Sequence, residues 1–419
     1  MMIPSPLHAV LVGVHIKGSP TDTIQSIAEL RELATTAGIV TVDQLIQERR
    51  SPHPKHYIGS GKLVELHEMV QHHCAQVIIC DDELSPNQTR VLEQYFQLKV
   101  IDRTSLILDI FAQRALTYEA QLQVELAQLN YLMPRLTRLW THLSRQSGGI
   151  GARGPGETQL ETDKRDIRKR ISHIKSKLLM VKNQRQLRRE KREASQTLTI
   201  ALVGYTNAGK STLMNQLTAS NSLAEDKLFA TLDPISRRFT LPNGQDVILT
   251  DTVGFIQKLP HQLVNAFYST LEEVTQADLL IHVIDSHHPN LDMVIKTASQ
   301  IINTLNIHDT PVLYVFNKWD LISAPNTLKK TIDSFSPAVF ISATHPDSFD
   351  TLYHAISTIT DSFYTVYEWH IPYNKTHLMH LIREHGRLIG ETHDDTGTTV
   401  KVSLTPVHAD QIMNELFGP

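Results

Sequence analysis

A glycine-rich loop in the middle of the chain has the residue types and spacing of a phosphate site. Gly204-Tyr-Thr-Asn-Ala-Gly-Lys-Ser211 fits the pattern G-x-x-x-x-G-K-S, and it follows an apolar run and precedes a helical one. In that context the backbone N–H groups turn toward a phosphate, Lys210 brings positive charge to the terminal phosphates, and the Ser211 hydroxyl can bind Mg²⁺. The loop therefore predicts a bound nucleoside phosphate.

Two further stretches supply the remaining groups of a triphosphate site. Asp251-Thr-Val-Gly254 ends a predicted strand, where its carboxylate can hold Mg²⁺ through water and the Gly254 N–H can meet the γ-phosphate. Phe229-Ala-Thr-Leu-Asp233 lies between the two motifs, and this position predicts a switch loop. Ser211 and Thr231 are the predicted protein ligands of Mg²⁺.

The identity of the base is predicted from Asn317-Lys-Trp-Asp320. The Asp320 carboxylate can accept both N–H donors of the guanine edge, and adenine lacks that donor pair. Ser342-Ala-Thr344 follows the last strand and should back the base with main-chain N–H. The four motifs, in this order, predict a GTP-binding domain. The candidate binding residues are Gly204, Tyr205, Thr206, Asn207, Ala208, Gly209, Lys210, Ser211, Thr212, Phe229, Ala230, Thr231, Leu232, Asp233, Asp251, Thr252, Val253, Gly254, Asn317, Lys318, Trp319, Asp320, Ser342, Ala343 and Thr344.

The residue that follows Gly254 bears on hydrolysis. Ras-like enzymes use a glutamine there to orient the attacking water, whereas this chain has Phe255. An apolar side chain cannot polarise water, so we expect slow intrinsic hydrolysis that a moved loop, a partner or a cation completes, and no catalytic residue is identified. Asn207 resembles an asparagine that holds K⁺ near the phosphates in some related GTPases. An asparagine that serves only the loop conformation is an equal alternative.

The predicted elements place these motifs at strand ends. Near-continuous apolar runs with helical stretches between them are typical of parallel strands that are covered on both faces. The Asn243-Gly244 pair predicts a hairpin that adds one antiparallel strand. The predicted parallel strands are Leu198–Val203, Val247–Thr250, Leu279–Ile284, Val312–Phe316 and Val339–Ile341.

Two apolar stripes upstream predict a pair of long helices with a coiled-coil-like seam. The first stripe is Leu122, Leu126, Leu129, Met133, Leu136 and Trp140, and the second is Ile167, Ile171, Ile174, Leu178 and Val181. Pro134 should kink the first helix. The glycine-rich stretch Ser147–Glu157 between them is predicted to be non-helical. We therefore expect a hairpin with a protruding tip, and a flexible linker is the alternative.

The second of these helices is strongly basic. Between Lys164 and Arg192 there are 13 Lys and Arg residues against Asp166 and Glu190, a net charge of +11, although the whole chain has a net charge of −4. A solvated face is the ordinary explanation of a charge run. The size of the asymmetry, with Arg145 and Arg153 flanking the glycines, favours contacts with nucleic-acid phosphates and a strong salt dependence.

The predicted fold class is α/β with several domains. Residues 1–117 form an N-terminal α/β domain, 118–193 the hairpin with its tip at 147–157, 194–362 a Rossmann-like P-loop GTPase domain, and 363–419 a small C-terminal α/β domain. In the first domain the predicted strands are Ala9–Val14, Val77–Ile79 and Val100–Ile101, and the predicted helices are Ser26–Ala37, Lys62–Gln71 and Ser85–Phe96. A β-α-β-β-α pattern follows Asp361.

Composition narrows the classes further. The 419 residues are 41% hydrophobic and 20% charged, which excludes a disordered chain, and the net charge excludes a uniformly basic nucleic-acid binder. Only Cys74 and Cys80 are present, which excludes a disulfide framework. The sequence has no signal-peptide pattern and no apolar run that could span a bilayer. We expect a cytoplasmic monomer, with peripheral membrane association left open.

The chain resembles the HflX family of ribosome-associated GTPases over essentially its full length. The stretches that carry the resemblance are Tyr57–Lys62, Asp81–Ser85, Val100–Arg103, Leu122–Gln128, Gly148–Asp163 and Asp251–Pro260. The resemblance implies binding to the large ribosomal subunit, GTP hydrolysis and the splitting of stalled or stress-damaged ribosomes, with the tip reaching toward the peptidyl-transferase region. Thr344 stands where the family usually has lysine, which suggests weaker base stacking, and Arg138 and Lys164 are also unusual.

Two alternatives remain at this point. One is an RNA-remodelling ATPase that works through the N-terminal domain, because the family's N-terminal domain has been linked with ATP and RNA unwinding. Gly59-Ser-Gly-Lys62 imitates part of a P-loop but lacks its spacing, and it is predicted to be a turn before a helix. The other is a GTP-dependent module that docks to a ribosome or an assembly precursor without splitting it. The histidines near Cys74 lack the spacing of a metal site.

Overall fold

The structure is a computed structural model that describes residues 6–18, 22–136, 155–193, 197–219, 228–258, 273–305, 307, 310–322 and 335–417. It has the multidomain α/β architecture that the sequence predicts. Two mainly parallel sheets are joined through a helical arm, and a small antiparallel sheet follows them. None of the helices in these ranges combines the length and the apolar character needed to cross a membrane.

The first sheet, which we call the N sheet, has four parallel strands in the order β2-β1-β3-β4. Apolar residues fill β1 and β3, and helices cover the sheet, as expected of parallel strands. The elements are β1 (Leu7–Ile16), α1 (Thr23–Thr36), β2 (Ile39–Arg49), α2 (Ser60–His72), β3 (Val77–Cys80), α3 (Pro86–Phe96), β4 (Lys99–Asp102) and α4 (Arg103–Arg114). The sequence did not predict β2 and α4.

The helical arm consists of α5 (Tyr118–Leu136) and α6 (Pro155–Glu193). Leu122 of α5 and Ile174 of α6 are buried, as expected of seam positions. A second face of α5, which was not predicted, packs into the N sheet core through Ala120, Val124, Ala127 and Tyr131. Proline is favoured at the first helical position because its nitrogen needs no hydrogen bond there. Pro155–Glu157 are thus helical, contrary to prediction, and the rest of the tip and Trp140 lie outside the described residues.

The second sheet, which we call the G sheet, has six strands in the order β10-β9-β8-β5-β7-β6. Only β6 is antiparallel, and the predicted turn at Gly244 joins it to β7. The chain order reverses around β5, which is where α/β sheets bind ligands at the carboxyl ends of their strands. The elements are β5 (Leu198–Gly204), α7 (Lys210–Leu217), β6 (Ile235–Thr240), β7 (Asp246–Asp251), β8 (Leu279–Asp285), α8 (Leu291–Thr304), β9 (Val312–Asn317), β10 (Ala338–Phe340) and α9 (Phe349–Asp361).

A three-stranded antiparallel sheet in the order β11-β13-β12 follows, with the predicted β-α-β-β-α pattern. Its own apolar core includes Trp369, Ile382 and Val402. The elements are β11 (Thr365–Pro372), α10 (His377–His385), β12 (Arg387–His393), β13 (Gly397–Leu404) and α11 (Pro406–Phe417).

The N sheet packs directly on the loops at the carboxyl end of the G sheet. Phe229 and Leu232 of the switch loop, with Val253 and Ile256, belong to the same apolar cluster as Leu106 and Phe111 of α4. The ring of Phe229 meets the ring of Phe111 edge to face, with centroids 4.6 Å apart. The two sheets therefore share a core that contains the predicted nucleotide switches.

Candidate functional site

The predicted phosphate loop joins β5 to α7, and two of its glycines have backbone conformations that other residues rarely adopt. Gly204 has φ +149° and Gly209 has φ +93°. A Cβ atom at position 209 would lie 2.2 Å from Nδ2 of Asn317, so the close approach also requires glycine. Lys210 is buried, and its ammonium donates to the carbonyls of Gly204 at 3.2 Å and Tyr205 at 2.8 Å. The loop thus presents its N–H groups and one cation to the same space.

The three predicted magnesium-site side chains converge at the end of β7. The Ser211 hydroxyl donates to Asp251 Oδ2 at 2.6 Å, the Thr231 hydroxyl donates to the same oxygen at 2.9 Å, and the two hydroxyls are 2.9 Å apart. The other oxygen, Asp251 Oδ1, is buried without a partner among the described residues. Hydroxyl and carboxylate oxygens are the ligands that Mg²⁺ prefers, so this donor set fits the predicted metal.

Burial shifts both charges at this point toward their neutral forms. It lowers the pKa of Lys210 to about 8, and the nearby Asp251 carboxylate opposes the shift only in part. It raises the pKa of Asp251, while Lys210, Ser211 and Thr231 offset part of that rise. Both shifts are expected where a bound phosphate and a cation would compensate the protein charges.

A cavity of about 60 Å³ joins the phosphate loop, the switch loop and the Asp251 motif. The residues around it come from the three predicted motifs. They are Thr206, Asn207, Gly209, Lys210, Ser211, Thr212, Phe229, Ala230, Thr231, Thr252 and Gly254. The structure thus brings together residues that lie up to 48 positions apart, as their order on the strands predicts.

The predicted base-binding motifs meet the phosphate loop through Asn317. Its Nδ2 donates to the carbonyl of Ala208 at 2.8 Å, and its Oδ1 accepts the N–H of Ala343 at 2.9 Å. Lys318 is paired with Asp285 at 2.7 Å, and Asp320 is exposed in a short 3-10 helix, where its carboxylate is accessible to a ligand. Ser342 bonds to Thr344 at 2.9 Å. Asn317 therefore holds the two halves of the site in register.

Two predictions about hydrolysis can be compared with the geometry. Phe255 lies in the apolar core with Val203 and Val274, so its side chain does not face the cavity. Its backbone instead bonds to both sides of the phosphate loop, donating to Gly204 at 2.9 Å and accepting from Thr206 at 2.8 Å. Asn207 is exposed and has φ +60°, a conformation that asparagine tolerates well. This conformation accounts for asparagine without an ion.

A buried network of charges, which the sequence did not predict, ties the N sheet to this site. Arg103 bonds to Asp81 at 2.6 Å and to Glu29 at 3.0 Å, and all three side chains are nearly inaccessible. Glu29 accepts from the Tyr205 hydroxyl at 2.5 Å, and Lys258 pairs with Asp81 at 2.5 Å. The signal in the sequence was weak: carboxylates and an arginine directly after the apolar strands β3 and β4.

Burial acts differently on the two carboxylates of this network. It raises the pKa of Glu29, and Arg103 and Tyr205 offset only part of the rise. At Asp81, burial also favours the neutral acid, but Arg103 and Lys258 outweigh it and the pKa is lowered. The network therefore places a stable ion pair beside the phosphate loop and the segment that follows Gly254.

Two other candidate positions bind protein groups. The Asp233 carboxylate bonds to the start of α5, at Leu116 and Thr117. In the N-terminal glycine stretch, the Gly59 N–H donates to Gln47 Oε1 at 2.7 Å, and Lys62 pairs with Glu65 at 2.6 Å. Among the residues described, no group of three or more His, Cys, Asp or Glu is arranged to hold a metal ion.

Comparisons with known proteins assign families to three parts of the chain. Residues 24–112 match the family described as "GTP-binding GTPase N-terminal", 114–192 match "GTP-binding GTPase Middle Region", and 199–318 match "50S ribosome-binding GTPase". The three matches fall within the N sheet, the helical arm and the G sheet in turn, although the first leaves out β1 and the third leaves out β10.

Relatives match over nearly the whole chain. The "GTPase HflX" of Caldanaerobacter subterraneus subsp. tengcongensis is 46% identical over 411 residues, which cover 98% of this chain and 94% of that protein. The "GTPase HflX" of Escherichia coli (strain K12) is 49% identical over 311 residues, or 74% of this chain and 73% of that protein. A GTP-binding protein from Sulfolobus solfataricus, solved in complex with GDP, is 24% identical with a TM-score of 0.44, over 85% of this chain and 99% of that one.

Proposed function

The chain belongs to the HflX family of GTPases, and from this premise we propose that it binds the large ribosomal subunit and splits stalled or stress-damaged ribosomes. The activity that drives this function is the hydrolysis of GTP to GDP and phosphate. The observation that carries the proposal is the direct bond between the switch loop and the base of a long, basic helical arm.

The nucleotide roles that we propose follow from the donor set. The N–H groups of residues 204–212 and the Lys210 ammonium bind the phosphates, and Asp320 accepts the guanine N–H pair beside Ser342 and Ala343. Ser211 and Thr231 would hold Mg²⁺, with Asp251 behind them through water. When bound, this ion would neutralise charge between the β- and γ-phosphates. Asn207 is a candidate K⁺ ligand. The loop conformation of Asn207 explains the asparagine without an ion, so the K⁺ role rests on the resemblance alone.

Hydrolysis in this protein has to proceed without a glutamine directly after Gly254, because this chain has Phe255 there. Because the Phe255 side chain is in the core, we infer that the attacking water is oriented by main-chain groups of the switch loop and of Gly254. These groups are in place only while the switch loop is closed over the cavity. We therefore expect slow basal hydrolysis and stimulation by a partner that stabilises the closed loop.

The proposed ribosome contact is supported by the charge and exposure of α6. Arg165, Arg168, Lys169 and Lys175 are exposed along the helix. Two ion pairs also hold the arm helices together. In each, an arginine of α6 contacts a glutamate of α5: Arg170 contacts Glu125 at 2.6 Å and Arg185 contacts Glu119 at 3.0 Å. An exposed basic helix attracts RNA phosphates without base specificity. Splitting, in contrast, requires shape, which we assign to the part of the glycine tip that precedes α6, residues 147–154.

Deleting Gly148–Gly154 tests the separate role of the tip, because α6 begins at Pro155 and stays whole. We expect purified ribosomes to remain intact in sucrose gradients and in light scattering with GTP. Ribosome-stimulated phosphate release should fall, and basal release should stay near the original rate because the cavity is elsewhere. Co-sedimentation should weaken less, since the basic side chains remain.

A charge variant is the matched control for this deletion. Arg168→Glu with Lys175→Glu keeps the tip and should lower ribosome binding steeply, with a smaller salt dependence. If the variant without Gly148–Gly154 splits ribosomes at the normal rate, the tip is not the part of the protein that splits them. Co-sedimentation without splitting by the unmodified protein would favour the alternative of a docking module.

A further inference from the structure

We propose that Asp233 is a positioning residue that couples the switch loop to the helical arm. Its carboxylate bonds to Leu116 and Thr117, the two residues before α5, while Thr231 stands at the magnesium position, so the nucleotide state sets the orientation of the arm. The proposal rests on the GTPase activity of the family. Only its extension to ribosome-stimulated hydrolysis rests on the proposed function.

The contact uses three hydrogen bonds at the beginning of α5. Asp233 Oδ2 accepts the N–H of Leu116 at 3.0 Å and the N–H of Thr117 at 3.1 Å, and the Thr117 hydroxyl donates to Oδ1. The same hydroxyl accepts the N–H of Ala120 at 3.2 Å, which belongs to the first turn of the helix. A carboxylate is favoured at this place because the first N–H groups of a helix lack internal partners and carry partial positive charge.

The distance along the chain makes the contact sensitive to the switch loop. Thr231 is two residues before Asp233, and two residues span at most about 7 Å. Thr231 is fixed on the other side by its bonds to Ser211 and Asp251. If Thr231 leaves the magnesium position by more than this two-residue link allows, Asp233 must move with it or break its bonds to Leu116 and Thr117.

Because α5 also packs into the N sheet core, the arm would move together with the N sheet about this contact. A cavity of about 230 Å³ lies beside Asp233, and Glu119 of α5 and Arg185 of α6 are among its lining residues. These two side chains pair at 3.0 Å, so a displacement at the start of α5 is passed on to α6. Leu116 and Thr117 are exposed to solvent, which makes this contact easier to break than the buried Arg103 network.

The coupling also works in the reverse direction. A partner that holds the arm in the orientation that α5 has here stabilises the bonds to Asp233, and through them the closed switch loop. Linkage requires that a nucleotide which favours one arm orientation is itself bound more tightly when the arm is held there. This gives a ribosome-bound arm a direct route to the residues around the γ-phosphate.

The test measures arm orientation in the full chain without ribosomes, by the distance between spin labels at Lys175→Cys and Asp350→Cys in a Cys74→Ser background. With a non-hydrolysable GTP analogue we expect one narrow distance distribution, and with GDP a broader or shifted one. Asp233→Ala should give the GDP-like distribution with both nucleotides. It should also lower the ratio of analogue affinity to GDP affinity at least threefold.

Two variants separate this role from a general structural effect. Asp233→Asn keeps an acceptor for the N–H groups of α5 and should restore part of the nucleotide response. Asp246→Ala is the control, because Asp246 makes comparable hydrogen bonds to Arg238 and Thr240 but lies in the G sheet and not in the switch loop. The arm of this variant should respond to the nucleotide like the arm of the unmodified protein. The proposal is overturned if Asp233→Ala keeps the normal response, or if the unmodified arm ignores the nucleotide. Because no ribosomes are present, failure of ribosome splitting leaves this result unaffected.

Discussion

The N sheet is parallel and the G sheet is mainly parallel, yet the carboxylates at the ends of their strands have different surroundings. In the N sheet, Asp81 follows β3 and Asp102 ends β4, and both have protein partners at both carboxylate oxygens. In the G sheet, Asp251 ends β7 with one carboxylate oxygen buried and without a partner among the described residues. The same topology has thus produced a closed network of charges in one sheet and a site for a charged ligand in the other.

This difference bears on the alternative of an ATPase in the N-terminal domain. The turn that imitates a phosphate loop has its first N–H bonded to Gln47 and its lysine paired with Glu65. Phosphate sites instead have convergent N–H groups that are free for the ligand. The geometry therefore favours a nucleotide site at the G sheet, while the charges of the N sheet bond to the loops beside that site.

The largest effect is expected from removing the centre of the N sheet network. Arg103→Met leaves Asp81 and Glu29 buried without their main partner, which typically costs about 3–5 kcal/mol. The calorimetric unfolding transition of the N sheet should shift accordingly. Arg238→Met is the control, because Arg238 pairs with Asp246 at the surface, and its removal should change the stability little. Equal shifts for the two variants would show that the buried network does not stabilise the fold.

A part of this comparison was accessible from the sequence. Each nucleotide motif is a short continuous stretch of sequence. The residue types of the motifs and their order on the apolar strands therefore predicted which residues line the cavity. The network around Arg103 was not accessible, because Asp81 and Lys258 are 177 positions apart and only the fold joins them. Helix α4 is buried on several sides, at Leu106, Ile107, Leu108, Ile110 and Phe111, and so lacks the one-sided periodicity that marks a surface helix. Strand β2 is mostly half-buried and contains many polar residues, so it lacks the continuous apolar run from which the other strands were predicted.

Lysine substitutions in the two sheets should separate their roles in binding. Lys210→Ala removes the cation of the phosphate loop and should weaken GTP binding by about 1.5–3 kcal/mol, or roughly 10- to 150-fold. Lys62→Ala, in the glycine stretch of the N sheet, should leave the binding of GTP and ATP unchanged. Titration calorimetry with both nucleotides measures this. A loss of ATP binding in Lys62→Ala would reveal a second nucleotide site and break the comparison.

Base recognition should depend on one carboxylate of the G sheet. Asp320→Asn replaces one acceptor oxygen by a donor, so GTP should bind at least about tenfold more weakly, the value of one charged hydrogen bond. The xanthine nucleotide should gain affinity, because its edge offers the complementary pattern. Competition binding with both nucleotides gives the ratio. If that ratio stays at its original value, Asp320 does not contact the base.

The smallest effect concerns the one histidine that the described part of the G sheet buries almost completely. His282 on β8 is 1% exposed, and burial, helped by the charge of Lys210, lowers its pKa to about 3. The unfolded chain takes up a proton as the pH falls below the usual value of about 6.5, while the folded imidazole stays neutral down to about 3. Stability should therefore fall across this window, by at most about 1.4 kcal/mol per pH unit. His282→Leu should reduce the slope, measured by calorimetry between pH 7 and 4.5, whereas His287→Leu, at an exposed position beyond the same strand, should leave it unchanged. Equal slopes in all three proteins would mean that the imidazole of His282 takes up a proton in the folded state as readily as in the unfolded chain, so that burial in the G sheet does not keep it neutral.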